Sequence, residues 1–169
     1  WDQSLRMNGD TLLKLEQYST DAYTDLTIDF IEKRAEKKDK PWYFWLCYGG
    51  VHGPYTPANR HINDYANVPE IDIPVDVFGP RPEKPEYMHN MSMFDKDEDG
   101  SPTYKDRSLD SWVKQYNEAV KSIDDGVGRI LKALQKTWTQ IFHVSSSHRT
   151  CCLRILPVAR FFTQNPGNR

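Results

Sequence analysis

The chain has 169 residues with 22 Lys+Arg against 24 Asp+Glu, a net charge of −2, and a mean hydropathy of −0.74. That balance supplies no basic footprint for nucleic acid or an anionic membrane surface, and no apolar run approaches the ~20 residues of a membrane-spanning helix. A chain of this length supports one domain burying roughly 70% of its unfolded surface.

The opening is Trp1, with no basic-then-apolar leader and so no visible signal peptide. Either a leader has been removed or the N-terminus lies upstream. Three cysteines (Cys47, Cys151, Cys152) give neither a disulfide framework nor zinc-site spacing. Cys47 lies within an apolar run and reads as a buried small hydrophobe.

Residues 1–19 carry no clear pattern. From Thr20 the apolar positions Tyr23, Leu26, Thr27, Phe30 and Ile31 recur at helical steps and predict one buried stripe. Ser19 or Thr20 is placed to cap the helix. Asp21 and Asp25 sit at its positive end, and Lys33, Arg34, Lys37 and Lys38 at its negative end. Lys40-Pro41 stops it. Trp42-Tyr43-Phe44-Trp45-Leu46-Cys47-Tyr48 then runs without a charged residue, which predicts a strand covered on both faces, and Gly49-Gly50 ends the strand. Helix, buried strand and glycine exit together predict an α/β layer.

Eight prolines between 53 and 107 exclude any long regular element there and predict an ordered excursion over the active face. A second helix is predicted from about Ser108, with Leu109, Trp112, Tyr116, Ala119, Ile123, Val127, Ile130 and Leu134 in register for about seven turns. Gly126 and Gly128 each cost about 1 kcal/mol in a helix interior, so both predict close packing against a neighbour. After Lys136 periodicity fails.

Four of these pieces, in order, resemble the sulfatase family across residues 18–136. They are Tyr18-Ser19-Thr20-Asp21 leading to Thr27-Ile28-Asp29-Phe30-Ile31, then Lys40-Pro41-Trp42-Tyr43-Phe44-Trp45-Leu46, then Val51-His52-Gly53-Pro54-Tyr55-Thr56-Pro57. The last is the helix at 116–134 with Ile123-Asp124-Asp125-Gly126-Val127-Gly128-Arg129-Ile130-Leu131. The resemblance implies an alkaline-phosphatase-like α/β sandwich with a mainly parallel central sheet, and hydrolysis of sulfate esters. It implies calcium or another divalent metal, and a formylglycine made from a cysteine or serine in Cys/Ser-x-Pro-x-Arg. It also implies a periplasmic or secreted setting and a sulfated small molecule or polysaccharide as substrate. His52 matches the family's substrate-contacting histidine, and its place just past a strand's C-terminal end suits a ligand site in its own right. Near neutral pH an imidazole there donates to an anionic ester or protonates a leaving alkoxide. The family's turn has proline directly before this histidine, where this chain has Val51. His61 and His89 have no motif around them and read as structural.

The sequence contains no Cys/Ser-x-Pro-x-Arg, no recognisable early aspartate pair for the metal and no sulfate-gripping lysine/histidine strand. The expectation is therefore a partial catalytic domain over 1–136 that is inactive by itself. The region 137–169 is expected to be aberrant, translated out of frame from about Trp138. Joining the third base of each codon to the next two, Trp138-Thr139 must encode aspartate and Gln140-Ile141 asparagine or aspartate. Val144 to Ser147 can encode three apolar residues, and Ser147 to Thr150 permits the Thr-Ser-Asp that the resemblance requires at this point.

Two other readings stay open. Asp95-Lys96-Asp97-Glu98-Asp99-Gly100 begins like a calcium-binding loop, with Asp95, Asp97 and Asp99 alternating, Gly100 sixth, Ser101 and Thr103 available as further ligands and Asp106 twelfth. Pro102 and the short entering segment count against it, and a solvated acidic tip is the plain alternative. The same architecture also serves phosphodiesterases and phosphonate hydrolases.

Overall fold

A computed structural model describes residues 4–37, 41–74, 76–137, 142–147 and 150–157. The chain divides into two compact units, one built from 1–52 and 121–169 and the other from 53–120.

The first unit opens with an antiparallel hairpin, β1 (Ser4–Met7) with β2 (Thr11–Lys14), registered Ser4 to Lys14 and Met7 to Thr11. Its turn places Asn8 and Gly9 at φ 50° and 89°, a left-handed conformation that asparagine and glycine tolerate best. Helix α1 follows over Ser19–Ala35. Its N-cap is Tyr18 and no side chain caps it, so the capping role expected of Ser19 or Thr20 does not materialise. Thr20 is buried instead. Asp21 in the first turn and Lys33 and Arg34 in the last complement the helix dipole as expected. The stretch 38–40, with the expected Lys40 stop, lies outside the described residues.

The buried face of α1 differs from the expected apolar stripe. Thr20, Thr24, Thr27 and Ile31 are buried, while Tyr23, Leu26 and Phe30 are half-buried. Threonines can line this seam because their hydroxyls turn back on their own helix: Thr24 Oγ1 donates to the Thr20 carbonyl at 2.8 Å and Thr27 Oγ1 to that of Tyr23 at 2.7 Å. Thr24 Oγ1 also lies 2.9 Å from the Tyr48 hydroxyl. Burial raises the Tyr48 pKa above the usual tyrosine value, against smaller opposing pulls from the Thr24 hydroxyl and the Arg129 charge.

Strand β3 (Phe44–Cys47) is shorter than the apolar run that predicts it. It buries only Leu46, with Phe44 half-buried and Trp45 57% exposed. Cys47 is exposed too, which corrects its reading as a buried hydrophobe. β3 is thus covered on one face, not two. Its neighbour is β8 (Thr150–Pro157), antiparallel, with Leu46 opposite Leu153 and Cys47 opposite Cys152, and β8 in turn pairs antiparallel with β7 (Phe142–Ser147). The expected mainly parallel sheet is therefore not seen: the three-stranded sheet β3-β8-β7 is antiparallel throughout. The region beyond Lys136, where periodicity fails in the sequence, forms this hairpin and places Ile155 in the core. Residues 138–141, where the reading-frame argument begins, lie outside the described residues.

Helix α2 (Leu109–Thr137) runs through both units. Its C-terminal part sends Ile130 and Leu134 into a core with Ile31, Trp42, Leu46, Tyr48 and Ile155. Phe30 packs edge-on against Trp42 at 5.4 Å and tilted against Phe44 at 4.8 Å. Each fully buried aliphatic of this set is worth about 1.5–3 kcal/mol against its exposed state. Arg129 pairs with Asp25 across the two helices.

The second unit is the proline-rich excursion and the start of α2. It has structure of its own: two 3₁₀ turns (Asn59–His61 and Glu86–Met88) and an antiparallel sheet of β4 (Asp95–Lys96), β5 (Pro102–Tyr104) and β6 (Arg107–Ser108). Polar links hold the loops. Arg81 donates to the Val77 carbonyl at 2.9 Å and reaches those of Asp76 and Met91. Asp110 accepts from the Ile71 amide at 3.1 Å and pairs with Lys114 at 2.9 Å. The Ser108 hydroxyl accepts the Ser111 amide at 3.2 Å, capping α2 where the sequence predicts its start.

Candidate functional site

His52 lies in the turn that follows β3 and is exposed, its amide donating to the Gly49 carbonyl at 3.4 Å. The division between the two units falls at the peptide bond after it. Gly50 belongs in this turn for a packing reason. A Cβ there would lie 3.2 Å from Thr20 Oγ1 and 3.4 Å from Ile123 Cδ1, so the turn sits tightly on the α1–α2 seam.

Val51, immediately before the histidine, has φ 53°. A β-branched residue there is a conformational outlier, and the left-handed region costs a non-glycine residue roughly 1–2 kcal/mol. Proline, with φ fixed near −65°, could not adopt it. The departure from the resembled Pro-His pair is thus one of backbone as well as side chain. Strain of this sort concentrates at functional positions. Replacing Val51 by glycine should raise stability by about 0.5–1 kcal/mol, the relieved strain less glycine's larger unfolded-state entropy. Urea unfolding followed by circular dichroism measures it, and a loss of stability would show that Val51 is not strained.

The other candidates are dispersed. His61 is buried and its Nδ1 lies 2.9 Å from Asp64 Oδ2, while His89 Nε2 lies 2.7 Å from the Lys84 carbonyl; both hold loops together, as their lack of a motif suggests. The acidic segment folds as a hairpin, not as a loop between helices. Asp95 is in β4, paired to Thr103 of β5. Asp97 turns its carboxylate onto its own backbone, Oδ1 accepting the amides of Asp99 at 3.1 Å and Ser101 at 2.7 Å. Gly100 at φ 80° completes that turn, and Asp106 lies in the next one, between β5 and β6. Lys105 and Asp106 both have positive φ there, at 50° and 58°, as a two-residue hairpin turn of the I′ type demands. Asp95, Asp97, Asp99 and Asp106 are not gathered round one point: among the described residues no group of three or more His, Cys, Asp or Glu could hold a metal ion.

Comparison with known families decides what the chain is part of. The family model described as Sulfatase matches residues 2–148, a longer stretch than the 18–136 that carry the resemblance in sequence. The chain belongs to the sulfatase family. No curated protein and no solved structure matches it. Sulfatases are hydrolases of the alkaline-phosphatase-like α/β class that act on sulfate esters, in general with a metal ion and a formylglycine. The sequence does not fit the formylglycine, nor the described residues the metal. It has no Cys/Ser-x-Pro-x-Arg to generate the formylglycine, and its described carboxylates do not converge. Among the described residues, no helix is long and apolar enough to cross a membrane.

Proposed function

We propose that this chain is part of a sulfatase catalytic domain, contributing His52 to a site that hydrolyses sulfate esters of small molecules or polysaccharides, with the nucleophile and metal ligands on sequence outside it. The observation that carries the reading is the family match over residues 2–148 together with an exposed histidine in the turn leaving β3. Trp45 on β3, 57% exposed, with Tyr43 just before the strand at 50%, supports a partial domain, because a second layer normally covers the apolar face of such a sheet. In the intact domain we read the central sheet as mainly parallel and the protein as exported, periplasmic or secreted. Calcium, or another divalent ion, belongs to that intact site.

The chain incubated with 4-nitrophenyl sulfate and calcium should release nitrophenol no faster than a protein-free blank. Release proportional to protein concentration, and persisting through further purification, would overturn the partial-domain reading. We also hold that residues from about Trp138 are translated out of frame. Resequencing the gene across the codons of Lys136 to Thr150 should reveal a shifted frame that runs on through a full domain, and early stops in that frame would end the idea.

A further inference from the structure

The unit formed by 53–120 contains a pocket that the hydrolytic reading does not use. Its volume is about 540 Å³, within the range of small-molecule sites. Aromatic rings from four places in the chain line it: Tyr55, Phe94, Tyr104, and Trp112 with Tyr116 on α2. They meet one another at steep angles. Tyr55 stands edge-on to Trp112 at 5.8 Å and to Tyr116 at 5.6 Å, and Tyr104 is tilted to Trp112 at 5.9 Å. Lys105 is the one charged residue in the lining among the described residues, its ammonium 5.2 Å from the centre of the Tyr104 ring. The hairpin turn between β5 and β6 fixes where that cation is presented.

The geometry points to a pocket for a small planar aromatic anion, its ring among the tyrosines and Trp112 and its charge towards Lys105. Rings set edge-on and tilted leave a further ring both faces and edges to meet. A carbohydrate fits poorly. A sugar needs a hydrogen-bond partner for most of its hydroxyls, and each one buried without a partner is costly. The polar side-chain groups of the lining are the hydroxyls of Tyr55, Tyr104 and Tyr116 and the Lys105 ammonium, too few for most of a sugar's hydroxyls, since the Trp112 indole N–H already donates to the Tyr104 carbonyl at 2.9 Å. The Lys105 ammonium, with no carboxylate beside it among the described residues of the lining, makes an anion, not a cation, the complementary ligand.

The test is a calorimetric titration of the whole chain with naphthalene-2-sulfonate, which cannot be hydrolysed as an ester, so the result does not depend on sulfatase activity. We expect saturable one-to-one binding. Lys105→Gln should weaken it about two- to fivefold, the usual worth of an exposed ion pair, and Lys105→Arg should restore it. Lys96→Gln, which removes a cation over Phe78 outside the pocket, should leave it unchanged. Val113→Trp, filling the pocket, should weaken binding at least tenfold with the helical dichroism intact. If that variant does not fold, the Lys105 pair still decides the matter. Non-saturable binding, equal binding by Lys105→Gln, or equal displacement by galactose 6-sulfate would each overturn the proposal.

Discussion

Replacing Gly126 by alanine should destabilise the chain by about 2–3 kcal/mol, whereas the same change at Gly128, two residues along the same helix, should stabilise it by about 1 kcal/mol. Both substitutions gain the same helix propensity, about 1 kcal/mol. Their surroundings differ. A Cβ at Gly126 would lie 2.5 Å from Thr24 Oγ1 and 2.8 Å from the Tyr48 hydroxyl oxygen, whereas one at Gly128 would meet nothing within 4 Å. Over-packing a tight contact costs typically 1–3 kcal/mol. Here the displaced atoms are also the two partners of a buried 2.9 Å hydrogen bond, and separating them adds about 1–3 kcal/mol for stranded polar groups. Together these outweigh the propensity gain at Gly126, and nothing opposes it at Gly128. Urea unfolding followed at 222 nm reads both changes. Shifts of the same sign in the two variants would show that α2 does not approach α1 and Tyr48 as closely as drawn.

The same seam shows where sequence patterning reaches and where it stops. The period of apolar residues finds α2 almost to its ends, since Ser108 caps it and Leu134 is buried near its close. The pattern also finds α1, but puts the buried stripe too far towards Tyr23 and Phe30. The stripe includes Thr27 but passes over Thr20 and Thr24, yet at a close helix contact a short side chain that bonds its own carbonyls is the residue that fits. Gly126 is legible as a packing glycine. Gly128 carries the same local signal with no such role, because the space outside a helix is not written in its neighbours along the chain.

Strand pairing is harder still. A short apolar run reads equally as a strand covered on both faces or on one, and β3 is the second kind, antiparallel to β8 from more than a hundred residues away. Nothing local to 42–48 specifies that partner. The β1–β2 hairpin, by contrast, had a signal in Asn8-Gly9, the commonest dipeptide of two-residue hairpin turns, inside a stretch that otherwise shows no pattern. The acidic run from Asp95 to Gly100 illustrates an ambiguity of chemistry. Alternating aspartates followed by glycine suit a calcium loop and a tight hairpin turn alike, because the glycine serves a sharp reversal in each, while the carboxylates can ligate an ion or accept backbone amides. Asp97 resolves it here by accepting two amides of its own turn.

In the sequence His52 is singled out by its place after a strand end, where a parallel α/β sheet offers side chains to ligands, whereas the sheet it leaves in this chain is antiparallel. In a full-length sulfatase carrying this segment, His52→Ala should lower kcat by about 10²–10⁴-fold, the usual loss when acid–base help is removed, equivalent to about 3–5 kcal/mol of transition-state stabilisation. Stability should change by less than about 0.5 kcal/mol, because the side chain is exposed and packs into no core. The two readouts separate a chemical role from a structural one. His52→Gln separates the two chemical roles that remain. An amide N–H can still donate a hydrogen bond to a sulfate oxygen, but it cannot deliver a proton to the departing alkoxide. Recovery of most of the lost rate by glutamine would assign His52 to substrate contact, and a glutamine variant as slow as alanine would assign it to proton transfer. A kcat within twofold of the parent in both variants would remove His52 from the site altogether.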